Sequence, residues 1–249
     1  MLNGKKIALG VTGGIAVYKA VDLVSRLRKQ GAEVRVIMTE HAQQFVTPLT
    51  FKEISGNKVA VSMWDSNQEF NVEHIALANW ADAFVVAPAT ANILAKMANG
   101  IADDLLSTTL LAAQAPIIVC PAMNTGMYQN SITQENIEKL QKHGVTVMPP
   151  AVGYLACGVT GPGRLPEPQQ IVEFIDAFFA KKDGDMVGMK VLVTAAGTRE
   201  PIDPVRFVGN RSSGKMGYAI AQAAAQRGAE VLLVTGPSAL EIPPNVNGV

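Results

Sequence analysis

Residues 5–38 read KKIALGVTGGIAVYKAVDLVSRLRKQGAEVRVIM, and the hydrophobic period changes twice within them. Residues 5–11 are a short apolar run, the pattern of a strand buried on both faces. Thr12-Gly13-Gly14 makes a tight turn. Residues 15–30 then carry Ile15, Tyr18, Val21, Val24 and Leu27 near helical spacing, which predicts an amphipathic helix with these side chains inward. Gly31 supplies the stop, and EVRVIM predicts a second strand. Strand, turn, helix and strand in this order are a βαβ unit.

The same alternation continues outward. Thr47-Pro48 opens a helix that Gly56 ends, and strands are expected at 83–87, 116–120 and 145–148, separated by helical stretches such as ANILAKMANG and SITQENIEKLQKHG. Such a series implies a doubly wound, mostly parallel sheet with helices on both faces, of flavodoxin-like or Rossmann-like type. A helix, PQQIVEFIDAFFAKK, leads into the charged, glycine-bearing linker KKDGDMVGM. At Lys190 the pattern restarts, down to the tetrapeptide GAEV at 31–34 and again at 228–231. Two units are therefore expected: a domain over 1–181, and over 190–249 the start of a second Rossmann-like α/β domain. Sixty residues are too few for a complete doubly wound fold, so this second domain is expected to be a fragment.

A formal net charge of +0 gives no electrostatic footprint for nucleic acid or an anionic membrane, and no run approaches the ~18 apolar residues of a membrane span. Lys5-Lys6 followed by IALGVTGG imitates a signal peptide, but its glycines and the helix behind it mark a first strand and turn. Of two cysteines, Cys120 falls inside a predicted strand and Cys157 in a loop, so a disulfide is not expected and a reducing cytosol is.

Three segments carry chemistry. PPAVGYLACGVTGPGRLPEP (149–168) is nine parts in twenty Gly or Pro and is expected to be a long mobile lid bearing one thiol, Cys157. PAMNTGMY (121–128) follows an apolar strand and so puts Asn124 beyond a strand's carboxyl end, where open α/β sheets bind ligands. NVEHIALANWADAFVVAPAT (71–90) sets His74 before another strand. Taken singly, Asn124 would serve as well to cap a turn and His74 as a surface histidine. Thr12-Gly13-Gly14 matches neither the nucleotide-binding P-loop nor the full dinucleotide fingerprint, but free N–H groups at a helix start suit a phosphate monoester.

The succession GVTGGIAVYK, EHIALANWAD, APATANILAKMANGIADDLLSTTLLA, PAMNTGMY and ACGVTGPGR resembles the homo-oligomeric flavin-containing cysteine decarboxylases, in particular the decarboxylase half of the bifunctional phosphopantothenoylcysteine decarboxylase/phosphopantothenate–cysteine ligases of coenzyme A biosynthesis. The likeness spans residues 4–180. TREPIDPVRFVGNRSSGKMG (198–217) is similar to the opening of the ligase half. The resemblance implies FMN as cofactor and conversion of 4′-phosphopantothenoylcysteine to 4′-phosphopantetheine. The substrate thiol is oxidised to a thioaldehyde, carbon dioxide leaves, and the enethiol is reduced again by the same flavin. It implies catalytic roles for His74, Asn124 and Cys157, with His74 handling thiol and carboxylate. Asn124 would donate to the carboxylate without stabilising its charge, and Cys157 would supply the last proton. Asn124, Met123 and Ala122 would contact substrate; Gly13, Gly14, Thr39, Thr90, Ser107 and Thr108 would contact FMN. In the ligase-like tail, Asn210 would handle an acyl-cytidylate made with CTP and Mg2+, neither held by this stretch alone. Self-association as a trimer or dodecamer, small-molecule substrates and a cytoplasmic location complete what the resemblance implies. A flavin prenyltransferase would share fold and cofactor; the PAMN and ACG segments argue against it.

Overall fold

The computed structural model describes residues 2–64, 73–154, 158 and 160–249. They fall into two compact units, Leu2–Phe174 and Ile175–Val249.

The first unit is built on β1 (Lys6–Val11), α1 (Val17–Lys29), β2 (Glu33–Met38), α2 (Glu40–Gln43), α3 (Pro48–Ser55), β3 (Val59–Ala60), α4 (Glu73–Trp80), β4 (Ala83–Ala89), α5 (Ala91–Asn99), α6 (Leu105–Ala112), β5 (Ile117–Pro121), α7 (Thr125–Gln129), α8 (Ser131–Lys142) and β6 (Thr146–Val147). Its six strands form one sheet in the order β3-β2-β1-β4-β5-β6, every pair parallel. This is the expected doubly wound arrangement. The order reverses between β1 and β4, which makes the crevice beyond their carboxyl ends the natural ligand site. All seven residues of β4 are buried, as a central strand covered on both faces requires. Helix α6 lies so close to β1 that a Cβ on Gly10 would sit 2.7 Å from Leu106 Cδ1.

Helix α1 forms where expected and buries Val24 and Leu27 as read, but its buried stripe is shifted away from Ile15 and Tyr18. Val17, Lys19, Ala20, Leu23, Val24 and Leu27 are buried, whereas Ile15 and Tyr18 are 62% and 60% exposed. The 149–168 stretch also departs from expectation: it contains β7 (Ala151–Tyr154) and β8 (Thr160–Arg164), paired antiparallel as a hairpin. Gly161 and Gly163, two residues apart, share one face of β8, and both are buried. A Cβ on Gly163 would lie 2.3 Å from Met123 O, and one on Gly161 would lie 2.6 Å from Thr125 Oγ1. The glycines let β8 seat its backbone on the 123–125 turn, and Met123 N–H donates to Gly163 O at 2.9 Å. The predicted strand at 145–148 is only the two-residue β6.

The division between units falls within α9 (Pro168–Asp183). The second unit continues with β9 (Lys190–Ala195), β10 (Arg199–Pro201), β11 (Phe207–Gly209), α10 (Lys215–Gln226), β12 (Glu230–Thr235) and β13 (Val246–Gly248). Its three-stranded sheet runs β13-β12-β9, all parallel, with β10 and β11 as a separate antiparallel pair. The internal repeat holds to the register: Lys6 pairs Glu33 in the first unit and Lys190 pairs Glu230 in the second, with Gly31 and Gly228 both left-handed before the returning strand. Tyr218, Ala221, Ala224 and Ala225 of α10 pack with Val193, Val231 and Leu233 on one sheet face. The second unit thus repeats the strand, helix and parallel strand of the first.

Candidate active site

Four strand ends supply the site. Thr12 follows β1, Thr39 follows β2, Thr90 follows β4, and the 122–124 turn follows β5; all of these residues line one cavity of about 880 Å3 within the first unit, a size suited to a cofactor and a small substrate.

The turns are tied together across the switch point. Thr12 Oγ1 donates to Pro88 O at 2.7 Å and accepts from Thr90 N at 3.1 Å, while Thr90 Oγ1 caps α5 by accepting from Ile93 N. Gly13 and Gly14 have different reasons to be glycine. A Cβ on Gly13 would lie 2.4 Å from His41 Cβ, so packing of the β1–α1 turn against α2 demands its absence. A Cβ on Gly14 would meet only the Thr90 methyl, at 3.8 Å, so packing sets no such limit there. Among the described residues, the N–H groups of Gly13, Gly14 and Ile15 donate to nothing within the chain, and α1 has no side-chain cap. Unpaired donors at the start of a long helix make an anion cradle.

Asn124 caps α7: its side-chain oxygen accepts from Gly126 N at 2.8 Å, and Met123 beside it is clamped by Gly163. Ala122, Met123 and Asn124 all line the cavity, together with Tyr154 and Arg164 of the hairpin. Cys157 lies outside the described residues. His74, half-buried in the first turn of α4, is not among the lining residues. Ser107 and Thr108 do not line the cavity either: Ser107 completes a capping box with Asp104, and Thr108 Oγ1 donates to Asp104 O at 2.7 Å. Asn210 belongs to the second unit, where its side-chain oxygen accepts from Ser212 N beside Gly197.

The permanent cations of the cavity wall are each matched by a carboxylate. Lys19, buried in α1, donates to Leu165 O at 3.0 Å and to Glu167 Oε1 at 2.9 Å, and Arg164 donates to the same oxygen. The Lys19 hydrogen bond, aided by the charges of Lys19 and Arg164, holds the Glu167 carboxyl below its usual range despite desolvation. Lys96 contacts Asp103 at 2.6 Å and Asp104 at 3.2 Å. Desolvation pulls the ammonium down, and these two bonds more than offset it. Lys19, His41, Lys96 and Arg164 escaped sequence reasoning; a lysine on the buried side of α1 was the one available signal. Cys120 is core, its thiol pushed by burial up to about 12 and so kept protonated.

Asp104→Ala removes the α6 cap. It is expected to cost about 1 kcal/mol, read as a lowered urea midpoint at unchanged slope. An unmoved midpoint would remove Asp104 from any structural role.

A family model described as "Flavoprotein" matches residues 1–180. The chain belongs to the Flavoprotein family. A second model, "DNA/pantothenate metabolism flavoprotein C-terminal domain", matches residues 186–249 of this family member. The "Coenzyme A biosynthesis bifunctional protein CoaBC" of Haemophilus influenzae is 52% identical over 248 residues, covering 100% of the chain and 62% of that relative. The flavoprotein thus spans 62% of the length of this curated relative. Among solved structures, a PPC decarboxylase mutant complexed with pantothenoylaminoethenethiol is 32% identical, with a TM-score of 0.63, over 71% of this chain and 99% of the other. The FMN binding protein AtHal3 is also 32% identical, with a TM-score of 0.62, over 71% and 97%.

Proposed function

We propose that the chain binds FMN and decarboxylates 4′-phosphopantothenoylcysteine to 4′-phosphopantetheine, a step of coenzyme A biosynthesis. The observation that carries the reading is the meeting, at the carboxyl ends of β1, β2, β4 and β5, of backbone N–H groups without partners in the chain with the Asn124 turn in one cavity of cofactor size. Kinship with a coenzyme A biosynthetic protein and a PPC decarboxylase supports it.

The donor set fits a flavin mononucleotide. The Gly13-Gly14 turn offers backbone donors to one phosphate, Thr39 and Thr90 stand beside it, and Ala91, Ile93, Ala122 and Met123 give apolar wall for a flat ring. Bound there, FMN supplies a reversible two-electron acceptor. The chain's own groups do the rest. Asn124, held as the α7 cap, binds the substrate carboxylate without a charge that would stabilise it against loss. The matching of Lys19, Arg164 and Lys96 by carboxylates serves the same end. His74 handles thiol and carboxylate, and Cys157, between β7 and β8 in sequence, supplies the final proton. Ser107 and Thr108, with their hydroxyls committed to Asp104, act on the flavin indirectly by holding the 103–104 turn against Lys96.

Self-association as a trimer or dodecamer belongs to the proposal. His74 does not line the cavity of its own chain, and the apolar residues at the cavity wall, Ile15, Tyr18, Met127 and Tyr154, are all at least 50% exposed. A second copy covering this rim would bring His74 to a neighbour's Asn124. No helix among the described residues is long and apolar enough to cross a membrane; a cytoplasmic setting is part of the reading. We assign residues 1–181 to the decarboxylase domain and 190–249 to the beginning of a ligase domain, in which Asn210 would serve a CTP- and Mg2+-dependent activity of the whole protein.

The test is direct. Purified protein is expected to absorb near ~450 nm, as protein-bound flavins do, to release FMN on denaturation, and to evolve carbon dioxide from 4′-phosphopantothenoylcysteine. Release of FAD or a nicotinamide nucleotide would overturn the cofactor assignment, and a yellow protein inert toward this substrate would overturn the reaction.

A further inference from the structure

The matching of cations by carboxylates in the cavity wall is uneven. Lys96 faces two carboxylates, Asp103 and Asp104, at 2.6 and 3.2 Å, so that corner carries net negative charge. At the hairpin the balance is reversed. Lys19 and Arg164 converge on a single oxygen, Glu167 Oε1, at 2.9 and 2.8 Å, which leaves positive charge in excess. Asp22, a further carboxylate whose charge reaches Glu167, is itself paired with Arg26 at 2.8 Å and does not alter the balance. Glu40, the other acidic residue of the lining, lies apart on α2. With histidine counted neutral, the hairpin is therefore where the described lining residues carry surplus positive charge.

The two cations there are not equally available. Lys19 Nζ is committed twice, to Leu165 O and to Glu167, and its side chain is 7% exposed. The Arg164 side chain is 43% exposed, and among the described residues only one of its amino groups donates, to Glu167. The guanidinium is nonetheless fixed in place. Its other amino group lies along β7, 3.4 Å from where a Cβ on Gly153 would begin. Gly163 faces the Met123–Asn124 turn, so strand alternation sends the next side chain, Arg164, off the opposite face of β8. A guanidinium held at one corner and open at its edge has the geometry to grip a phosphate through two hydrogen bonds.

We propose that Arg164 recognises the phosphate monoester at the far end of the substrate, with Glu167 and Lys19 as its support. This deepens the decarboxylase reading above and rests on it. The substrate of that reading carries two anionic groups with opposite needs. Its cysteinyl carboxylate must leave as carbon dioxide and is met by the neutral Asn124. Its phosphate, at the other end of the pantothenoyl arm, takes no part in the chemistry. Positive charge at the first would oppose the reaction; at the second it binds without opposing it, and binding of a remote, unreacting group holds the reacting end in place. The backbone donors of the Gly13-Gly14 turn are taken in this reading by the cofactor's own phosphate. The Lys96 corner, with its two aspartates, repels another. The surplus charge at Arg164 is the place left for it.

The test compares decarboxylation of 4′-phosphopantothenoylcysteine and of pantothenoylcysteine, which lacks the phosphate, by the parent, Arg164→Gln and Arg164→Lys proteins at matched flavin content. The parent is expected to favour the phosphorylated substrate in kcat/KM. Arg164→Gln should lose about tenfold of that preference, the lower range for a hydrogen bond to a charged group, through a raised KM for the phosphorylated substrate. Arg164→Lys, which keeps the charge and loses the fork, should retain part of it. A preference that persists in Arg164→Gln would overturn the proposal. So would an equal loss toward both substrates, which would make Arg164 a support of the hairpin. A parent indifferent to the phosphate would overturn it as well and leave the decarboxylase reading standing, whereas a flavin-loaded parent inert toward both substrates would bring down that reading and this proposal together.

Discussion

His74→Asn and Asn124→Asp are each expected to lower carbon dioxide release by at least ~100-fold, the lower range for losing a positioned catalytic group, while the protein folds and stays yellow. The two substitutions are chosen so that structure survives. Asn124 accepts Gly126 N–H as the α7 cap, and an aspartate carboxylate makes the same cap at least as well. What changes is the charge facing the substrate: a neutral amide becomes an anion that repels the carboxylate to be lost. His74 lies half-buried in the first turn of α4, where asparagine is tolerated and the imidazole is removed. The two variants also test assembly. If a neighbouring copy brings His74 to Asn124, mixing inactive His74→Asn with inactive Asn124→Asp protein under conditions of subunit exchange should restore part of the activity, because some sites then hold both native residues. Near-parent turnover in either variant would cancel that residue's role, and mixtures that stay inactive after proven exchange would place both groups in one chain's site.

What sequence could and could not show follows from how far apart the interacting residues lie. The β1–α1–β2 unit was legible because its signals are local: an apolar run, a glycine turn, a helical period and the left-handed Gly31. The burial face of α1 was misjudged for a physical reason. Ile15 and Tyr18 are apolar yet exposed at the cavity, while Lys19 is buried because its ammonium reaches Leu165 and Glu167, about 150 positions along the chain. Sequence spacing ranks an apolar residue as core and a lysine as surface, and here both rules fail at the site. His41 was invisible for the same cause, since only the folded chain brings it against Gly13. Asn124 was legible because a strand ending in Pro-Ala-Met-Asn announces its own position. Ser107 and Thr108 sit in a segment that looks ligand-like by composition, but their hydroxyls are spent on the local Asp104 turn, a choice that composition does not reveal. The 149–168 stretch looked structureless because glycine and proline counts argue for a loop. The period-two spacing of Gly161 and Gly163 was the available signal for a strand.

Gly163→Ala is expected to abolish decarboxylation by at least ~100-fold while FMN remains bound, because that glycine seats the β7–β8 hairpin against the Asn124 turn. Two independent obstacles meet at one atom. Gly163 has φ 129°, a region that side-chain-bearing residues rarely adopt, and the new methyl would stand 2.3 Å from Met123 O. Backbone in such a region costs of order 1–3 kcal/mol for a non-glycine residue, and a carbonyl oxygen cannot rotate away as a side chain can. The relief available is to lift β8 off the turn, which breaks the Met123 N–Gly163 O bond and displaces Tyr154 and Arg164 from the cavity. The cradle at Gly13-Gly14 lies in the turn between β1 and α1 and is untouched, so flavin retention and turnover should separate. Gly144→Ala is the control for conformation alone. Its φ is 85° with nothing within 4 Å of the added methyl, so it should cost about 1 kcal/mol of stability and leave catalysis unchanged. Gly161→Ala should fall between, since its clash is with the Thr125 side chain, which has some freedom to turn. The ordering Gly163 above Gly161 above Gly144 in lost turnover, measured with flavin content held equal, is what a docked hairpin requires. Turnover in Gly163→Ala close to the parent's would mean that the hairpin need not sit on the Asn124 turn during the reaction, and the residues it carries would lose their claim to the site.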